Sequence, residues 1–234
     1  MASNGWFSDI QMEFLPEEWR MCANDMSKNR NTQGSLREMA VAGTGKFFLV
    51  TGPPGVGKTT LIIRALESLK ASNPDFKLQG FYTREIREGS ERVGFEVVTL
   101  DGRKAPLATT SSSSRWPACF RWPTVGKYIV DVASFESLAL PELQVREDTD
   151  LFIIDEVGKM ELYSSSFFPA VLKVLESNIP ILASVPIPKS GRDIPGVARL
   201  KNHPGASIFT LTTSNRDGVK DQIYSQLIDL LRKK

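Results

Sequence analysis

Residues 47–61 read FFLVTGPPGVGKTTL, from Phe47 to Leu61. Phe47 to Thr51 is a short apolar run with the length and branching of a buried strand. Gly52-Pro53-Pro54-Gly55-Val56-Gly57-Lys58-Thr59 matches G-x-x-x-x-G-K-[ST] at every fixed position. From Thr59 to Ala71, Leu61, Ile62, Ala65, Leu66 and Leu69 recur at helical spacing, so an amphipathic helix is expected directly after the loop. Glycines let the loop amides turn inward around an anion, and the helix adds its open N-terminal N–H groups. Lys58 supplies a mobile positive charge for the β- and γ-phosphates. Thr59 offers a hydroxyl to Mg²⁺, which prefers oxygen ligands. Gly52, Pro53, Pro54, Gly55, Val56, Gly57, Lys58, Thr59 and Thr60 are therefore the candidate nucleotide-binding residues, and Lys58 is also a candidate catalytic one.

A second constellation belongs with the first. Leu151-Phe152-Ile153-Ile154 is a fully apolar strand that ends in Asp155-Glu156. Ligands of parallel α/β sheets collect at the carboxyl ends of the strands, where the loop also lies. Asp155 is placed to hold Mg²⁺ together with Thr59, and Glu156 to orient and deprotonate an attacking water. Lys159 and Glu161 follow, as an ion pair over the site or as the cap of a turn.

Outward from these motifs, strand and helix patterns alternate. Gln79 to Arg87 and Arg92 to Leu100 read as a hairpin turned at Glu88-Gly89-Ser90-Glu91, with a further turn at Asp101-Gly102. Thr109 to Thr124, TTSSSSRWPACFRWPT, reads as a loop. Val125 to Val132 is a strand candidate, and Ser134 to Val145 and Phe167 to Ser177 are helix candidates. Ile181 to Val185 and Ser207 to Thr212 are buried strands, and Asp217 to Arg232 is a final helix. Continuous apolar strands between helices imply an α/β fold, mostly parallel and covered on both faces. Residues 1–45 are polar and mixed in charge, and read as a largely disordered extension with a short helix around Glu13 to Met26. Residues 46–234 are left as the nucleotide-binding domain.

Composition excludes several classes. The 234 residues carry 29 basic and 27 acidic side chains, a net charge of +2, which gives no support to a nucleic-acid or membrane-surface partner. Cys22 and Cys119 lack metal-ligand spacing and read as free thiols, with a disulfide left open. No apolar run reaches the roughly 18 residues of a membrane span. The acidic N-terminus lacks a signal or transit pattern, so a cytoplasmic or nuclear protein is expected. Nothing in the sequence names a protein partner.

Several segments together resemble one family. They are GPPGVGKTTL (Gly52 to Leu61), GFYT (Gly80 to Thr83), GFEVVTLDG (Gly94 to Gly102) and VGKYIVDV (Val125 to Val132). FESLALPEL (Phe135 to Leu143), IIDEVGKMEL (Ile153 to Leu162) and TTSNRD (Thr212 to Asp217) complete the set. In order, over about residues 46–232, they are similar to the cancer-related nucleoside-triphosphatases. The resemblance implies a RecA-like P-loop fold and Mg²⁺-dependent hydrolysis of ATP, GTP, CTP and UTP or TTP to diphosphate and phosphate. It also implies that Glu156 activates water and that Asn215 and Arg216 wall the base site. An arginine stacks on any base face, which suits low base selectivity; a helix N-cap at Asn215 beside a surface arginine is the alternative. The front extension, the stretch Thr109 to Thr124 and Arg84, where relatives carry an acid, depart from the pattern.

Other readings stay open. A nucleotide or small-molecule kinase would use the same loop and needs a basic lid, for which Lys189 to Lys201 is the candidate. A slow nucleotide-dependent switch would bind and barely turn over. Arg87, Arg199 and Lys201 are candidate transition-state cations, although each also reads as a surface charge, so modest turnover is expected. His203 reads as a surface-loop residue.

Overall fold

The computed structural model describes residues 45–110, 122–188 and 191–232. The expected N-terminal helix, Cys22 and Cys119 lie outside these residues, as do 111–121 of the Ser/Trp-rich stretch and Lys189 of the suggested lid. β1 (Phe47–Gly52) passes through the glycine-rich loop into α1 (Lys58–Ser72). β2 (Leu78–Glu88), β3 (Glu91–Thr99), β4 (Lys104–Thr110), β5 (Thr124–Val125) and β6 (Tyr128–Val130) follow, then α2 (Val132–Glu142). β7 (Leu151–Ile154), α3 (Phe167–Glu176), β8 (Ile181–Pro186), α4 (Pro195–Lys201), β9 (Ala206–Thr210) and α5 (Arg216–Leu231) complete the order.

The strands form one sheet in the order β5-β6-β4-β3-β2-β7-β8-β1-β9. β2, β7, β8, β1 and β9 run parallel to one another. β1, β7 and β8 are buried as expected, whereas β9, expected as a buried strand, lies at the sheet edge with Ile208 exposed. The expected β2–β3 hairpin is present, and it is larger than one hairpin. β4 adds to β3 and β6 to β4, all antiparallel. β4 escapes a sequence reading because KAPLATT carries Pro106 and has no long apolar run. The strand expected over Val125 to Val132 is instead two short antiparallel strands, because Gly126, at φ 60°, reverses the chain between them. α2 starts ahead of Ser134 because Asp131 caps it, accepting the Ser134 amide at 3.0 Å.

Side chains alternate across the sheet. Phe48, Val50, Leu151 and Ile153 face one side, where Leu61, Ile62, Ala65 and Leu69 of α1 and Ile223 and Leu227 of α5 cover them. On the α2 and α3 side, Phe135 and Phe167 close over Phe81 of β2, with ring centroids 5.1–6.1 Å apart. Among the described residues no helix is long and apolar enough to cross a membrane.

β8 lies between β1 and β7, so the loop and the acidic pair emerge from the same sheet edge with one strand between them. Gly80 makes the junction of β2 with β7 feasible. Its φ is 124°, and a Cβ there would lie 1.9 Å from the Ile153 carbonyl oxygen. Only a residue without a side chain tolerates both conditions. Gly80→Ala is therefore expected to destabilise the fold by roughly 2–5 kcal/mol through backbone strain and overpacking. Urea unfolding followed by circular dichroism measures this, and a midpoint like the parent's would contradict it.

Candidate active site

The loop reaches α1 through Gly57, whose φ of 102° is left-handed. No side chain caps α1 and no acid occupies its first turn, so its N-terminal amides stay open toward an anion. Pro53, Pro54, Gly55 and Thr60 are exposed, Gly57, Lys58 and Thr59 are half-buried, and Gly52 and Val56 are buried. Val56 fixes the bend through its amide, which donates to the Pro53 carbonyl at 3.2 Å, while its side chain enters the core. The Lys58 side chain folds back over the loop, with Nζ 3.4 Å from the Gly52 carbonyl oxygen and 3.3 Å from Glu156 Oε2.

Asp155 is fully buried at the end of β7. Thr59 Oγ1 donates to its Oδ2 at 2.7 Å, and the Ser184 hydroxyl of β8 donates to Oδ1. The Thr83 amide and hydroxyl each lie 3.4 Å from Oδ2. Burial pushes the Asp155 carboxyl above the ordinary carboxylate range, against the pull of Ser184, Thr59, Thr83 and the Lys58 charge. Glu156 keeps 30% of its side chain exposed, in contrast to the sealed Asp155. Burial raises it too; Lys58 pulls it down, and Asp155 adds to the rise.

The Lys159–Glu161 ion pair is not what forms. Lys159 is exposed, while Glu161 is buried and accepts the Gly158 amide at 3.1 Å, which is the turn-capping alternative. Burial, with the Glu156 charge beside it, pushes the Glu161 carboxyl up to about 8.

Arg216 reaches the loop: a Cβ on Gly57 would sit 3.9 Å from Arg216 Nε, and the arginine is exposed. Asn215 stands at the N-cap position of α5 without a side-chain capping bond. Its amide donates to the Thr210 carbonyl at 2.9 Å and accepts the Thr212 amide at 2.8 Å, so it braces the β9–α5 connection that aims Arg216.

Arg87 is exposed and donates to Glu85 at 2.6 Å, and Lys201 donates to Asp193 at 2.8 Å. Each is held by an acid of its own neighbourhood, and no contact joins either to Lys58 or Glu156. Arg199 is exposed on α4. Of the suggested lid, Pro195–Lys201 forms that helix, seated with Gly196 against the Phe168 ring. His203 accepts the Gly205 amide at 3.1 Å within its own turn. The sequence assigns no role to Ser184 or Thr83, which the structure brings to Asp155. The signal for Ser184 is one hydroxyl inside the apolar run ILASVP, and Thr83 closes GFYT.

The comparisons with known proteins agree with this architecture. The family model described as NTPase matches residues 47–224. The cancer-related nucleoside-triphosphatase of Homo sapiens is 42% identical over 186 residues, 77% of this chain and 95% of that protein. The nucleoside-triphosphatase THEP1 of Thermotoga maritima is 39% identical over 181 residues, 77% of this chain and 94% of that protein. The crystal structure of THEP1 from Aquifex aeolicus superposes with a TM-score of 0.64 at 34% identity, covering 77% of this chain and 98% of that one. The α/β P-loop fold expected from the sequence is therefore the fold of solved relatives, and the chain belongs to the NTPase family of cancer-related nucleoside-triphosphatases and THEP1 proteins.

Proposed function

We propose that this chain hydrolyses nucleoside 5′-triphosphates to the diphosphate and phosphate, with Mg²⁺ as cofactor. The observation that carries the reading is the pairing of the loop with the acidic strand end: Thr59 with Asp155 at 2.7 Å, and Lys58 with Glu156 at 3.3 Å. The names of the relatives, nucleoside-triphosphatases from Homo sapiens and Thermotoga maritima, support it.

The residues fit a magnesium ion. Thr59 Oγ1 and Asp155 Oδ2 form a pair of hard oxygen donors beside the anion nest, and Mg²⁺ takes one or two carboxylates, waters and substrate phosphates. Among the described residues there is no cluster of three or more His, Cys, Asp or Glu of the kind an all-protein metal cage would use. Thr59 and Asp155 would hold the ion, and the chemistry it would supply is neutralisation of negative charge on the polyphosphate. A dication also favours the ionised form of a buried carboxyl such as Asp155.

The loop amides, the α1 N-terminus and Lys58 receive the polyphosphate tail. Glu156, beside Lys58, takes a proton from a water whose oxygen attacks the γ-phosphorus, and the bond from γ-phosphorus to the bridging oxygen breaks. Arg216, lying on the outside of the loop at Gly57, stacks on the base. A guanidinium plane does not discriminate between purine and pyrimidine faces, in keeping with a substrate range over ATP, GTP, CTP and UTP or TTP.

Phosphate release from each triphosphate, with and without Mg²⁺, is the direct test. Glu156→Gln is expected to cut turnover by roughly 10²–10⁴-fold while nucleotide still binds, the range for loss of a general base. Lys58→Ala is expected to weaken both binding and turnover. A chelator is expected to stop the reaction. Undiminished turnover by Glu156→Gln in a clean preparation would refute the assignment. Phosphate transfer only when an acceptor is added would point to a kinase.

Glu161 makes stability depend on pH. Its folded pKa of about 8 lies above the ordinary 4.5, so the folded chain binds the extra proton between those values. Stability from this group is full below about pH 4.5 and lost as pH rises to about 8. Glu161→Gln, which carries no titrating proton, is expected to gain melting temperature over the parent at pH 8 relative to pH 5. Equal differences at both pH values would contradict this.

A further inference from the structure

Gly158 follows the acidic pair by two residues, and its backbone is not left-handed, so conformational freedom does not explain a glycine there. Space does. A Cβ at this position would lie 2.7 Å from Glu156 Oε1, 3.3 Å from Glu156 Cγ and 3.0 Å from Glu161 Oε2. Two carboxyl groups fill the volume a side chain would take. The Gly158 amide donates to Glu161 Oε2 at 3.1 Å, and its carbonyl accepts the Leu162 amide at 3.1 Å, closing the turn. Glu161 is only 4% exposed, so this buried acid has a fixed seat. On the far side of Glu156, Lys58 Nζ stands 3.3 Å from Oε2. Glu156 is thus held between the lysine of the loop and the bare Cα of Gly158.

We propose that Gly158 and Glu161 are positioning residues for the hydrolysis: Glu161, seated on the Gly158 amide, and the missing side chain at 158 together set where the Glu156 carboxylate points. The inference rests on the reading of Glu156 as the base. The three atoms nearest a methyl at 158 all belong to the Glu156 and Glu161 side chains and none to the backbone, and Glu156, the more exposed of the two, is the one that gives way. Misplacing a reacting group by about 1 Å costs on the order of 10²-fold in rate.

The test uses the full chain with Gly158→Ala, Glu161→Ala, Glu161→Gln and Glu156→Gln. It measures kcat and KM for ATP with Mg²⁺, the Kd of a non-hydrolysable ATP analogue, and the melting temperature. Gly158→Ala and Glu161→Ala are expected to lower kcat by roughly ten- to hundred-fold with KM and Kd within about threefold of the parent. Glu161→Gln keeps an oxygen for the Gly158 amide and is expected to retain kcat within about threefold. Parental kcat in Gly158→Ala beside an inactive Glu156→Gln overturns the positioning role and leaves the base assignment standing. Loss of melting temperature and kcat in Glu161→Ala alone, with Gly158→Ala unaffected, overturns it as well, because Glu161 then serves only the fold. Parental turnover in Glu156→Gln removes the base, and this inference with it.

Discussion

A carboxyl sealed at the end of a parallel sheet is costly unless its oxygens find donors, and this structure is arranged around meeting that need for Asp155. The donors come from three directions. Ser184 reaches it from β8, Thr83 from β2, and Thr59 from the first turn of α1. Each sits on a different element, so β2, β7, β8 and α1 must all be in register before the carboxyl is satisfied. The arrangement that meets this polar requirement also brings the loop and Glu156 together, which is why the site and the centre of the fold coincide.

Local chemistry decides what could be read in the chain without coordinates. The loop was legible residue by residue, because Gly57, Lys58 and Thr59 each have a reason to be there that needs no distant partner. The strand ending in Asp155-Glu156 was legible for a related reason, since an apolar tetrad followed by two acids cannot bury its end without a polar purpose. In the antiparallel arm β3 was legible as half of a hairpin, whereas β4 was not, because Pro106 interrupts it and its regularity comes from β3 and β6 rather than from pattern. α4 is seven residues long inside a polar stretch, too brief for a helical period to show.

Two of the residues around Asp155 carry little local signal, because their partner is far away in sequence. Ser184 and Thr83 meet Asp155 across 29 and 72 residues. For Glu161 the sequence leaves an ion pair or a turn cap open, and the turn folds it inward as the cap on the Gly158 amide. Asn215 looked like either a ligand contact or a cap, and its side chain braces its own loop. In each case the residue type was informative and its direction was not.

The close approach at Gly80 has a mechanical corollary. Among the described residues, the four-stranded antiparallel arm (β3, β4, β6 and β5) joins the rest of the sheet only through β2, and β2 meets β7 over just four registered pairs, Leu78 with Leu151 to Phe81 with Ile154. Phe135 and Phe167 pack their rings over Phe81, the last β2 residue of that narrow seam. Asp155 lies one residue past its last rung, so the buried acid sits at the joint between two half-sheets, and its bonds to Thr83 are the ones that cross it.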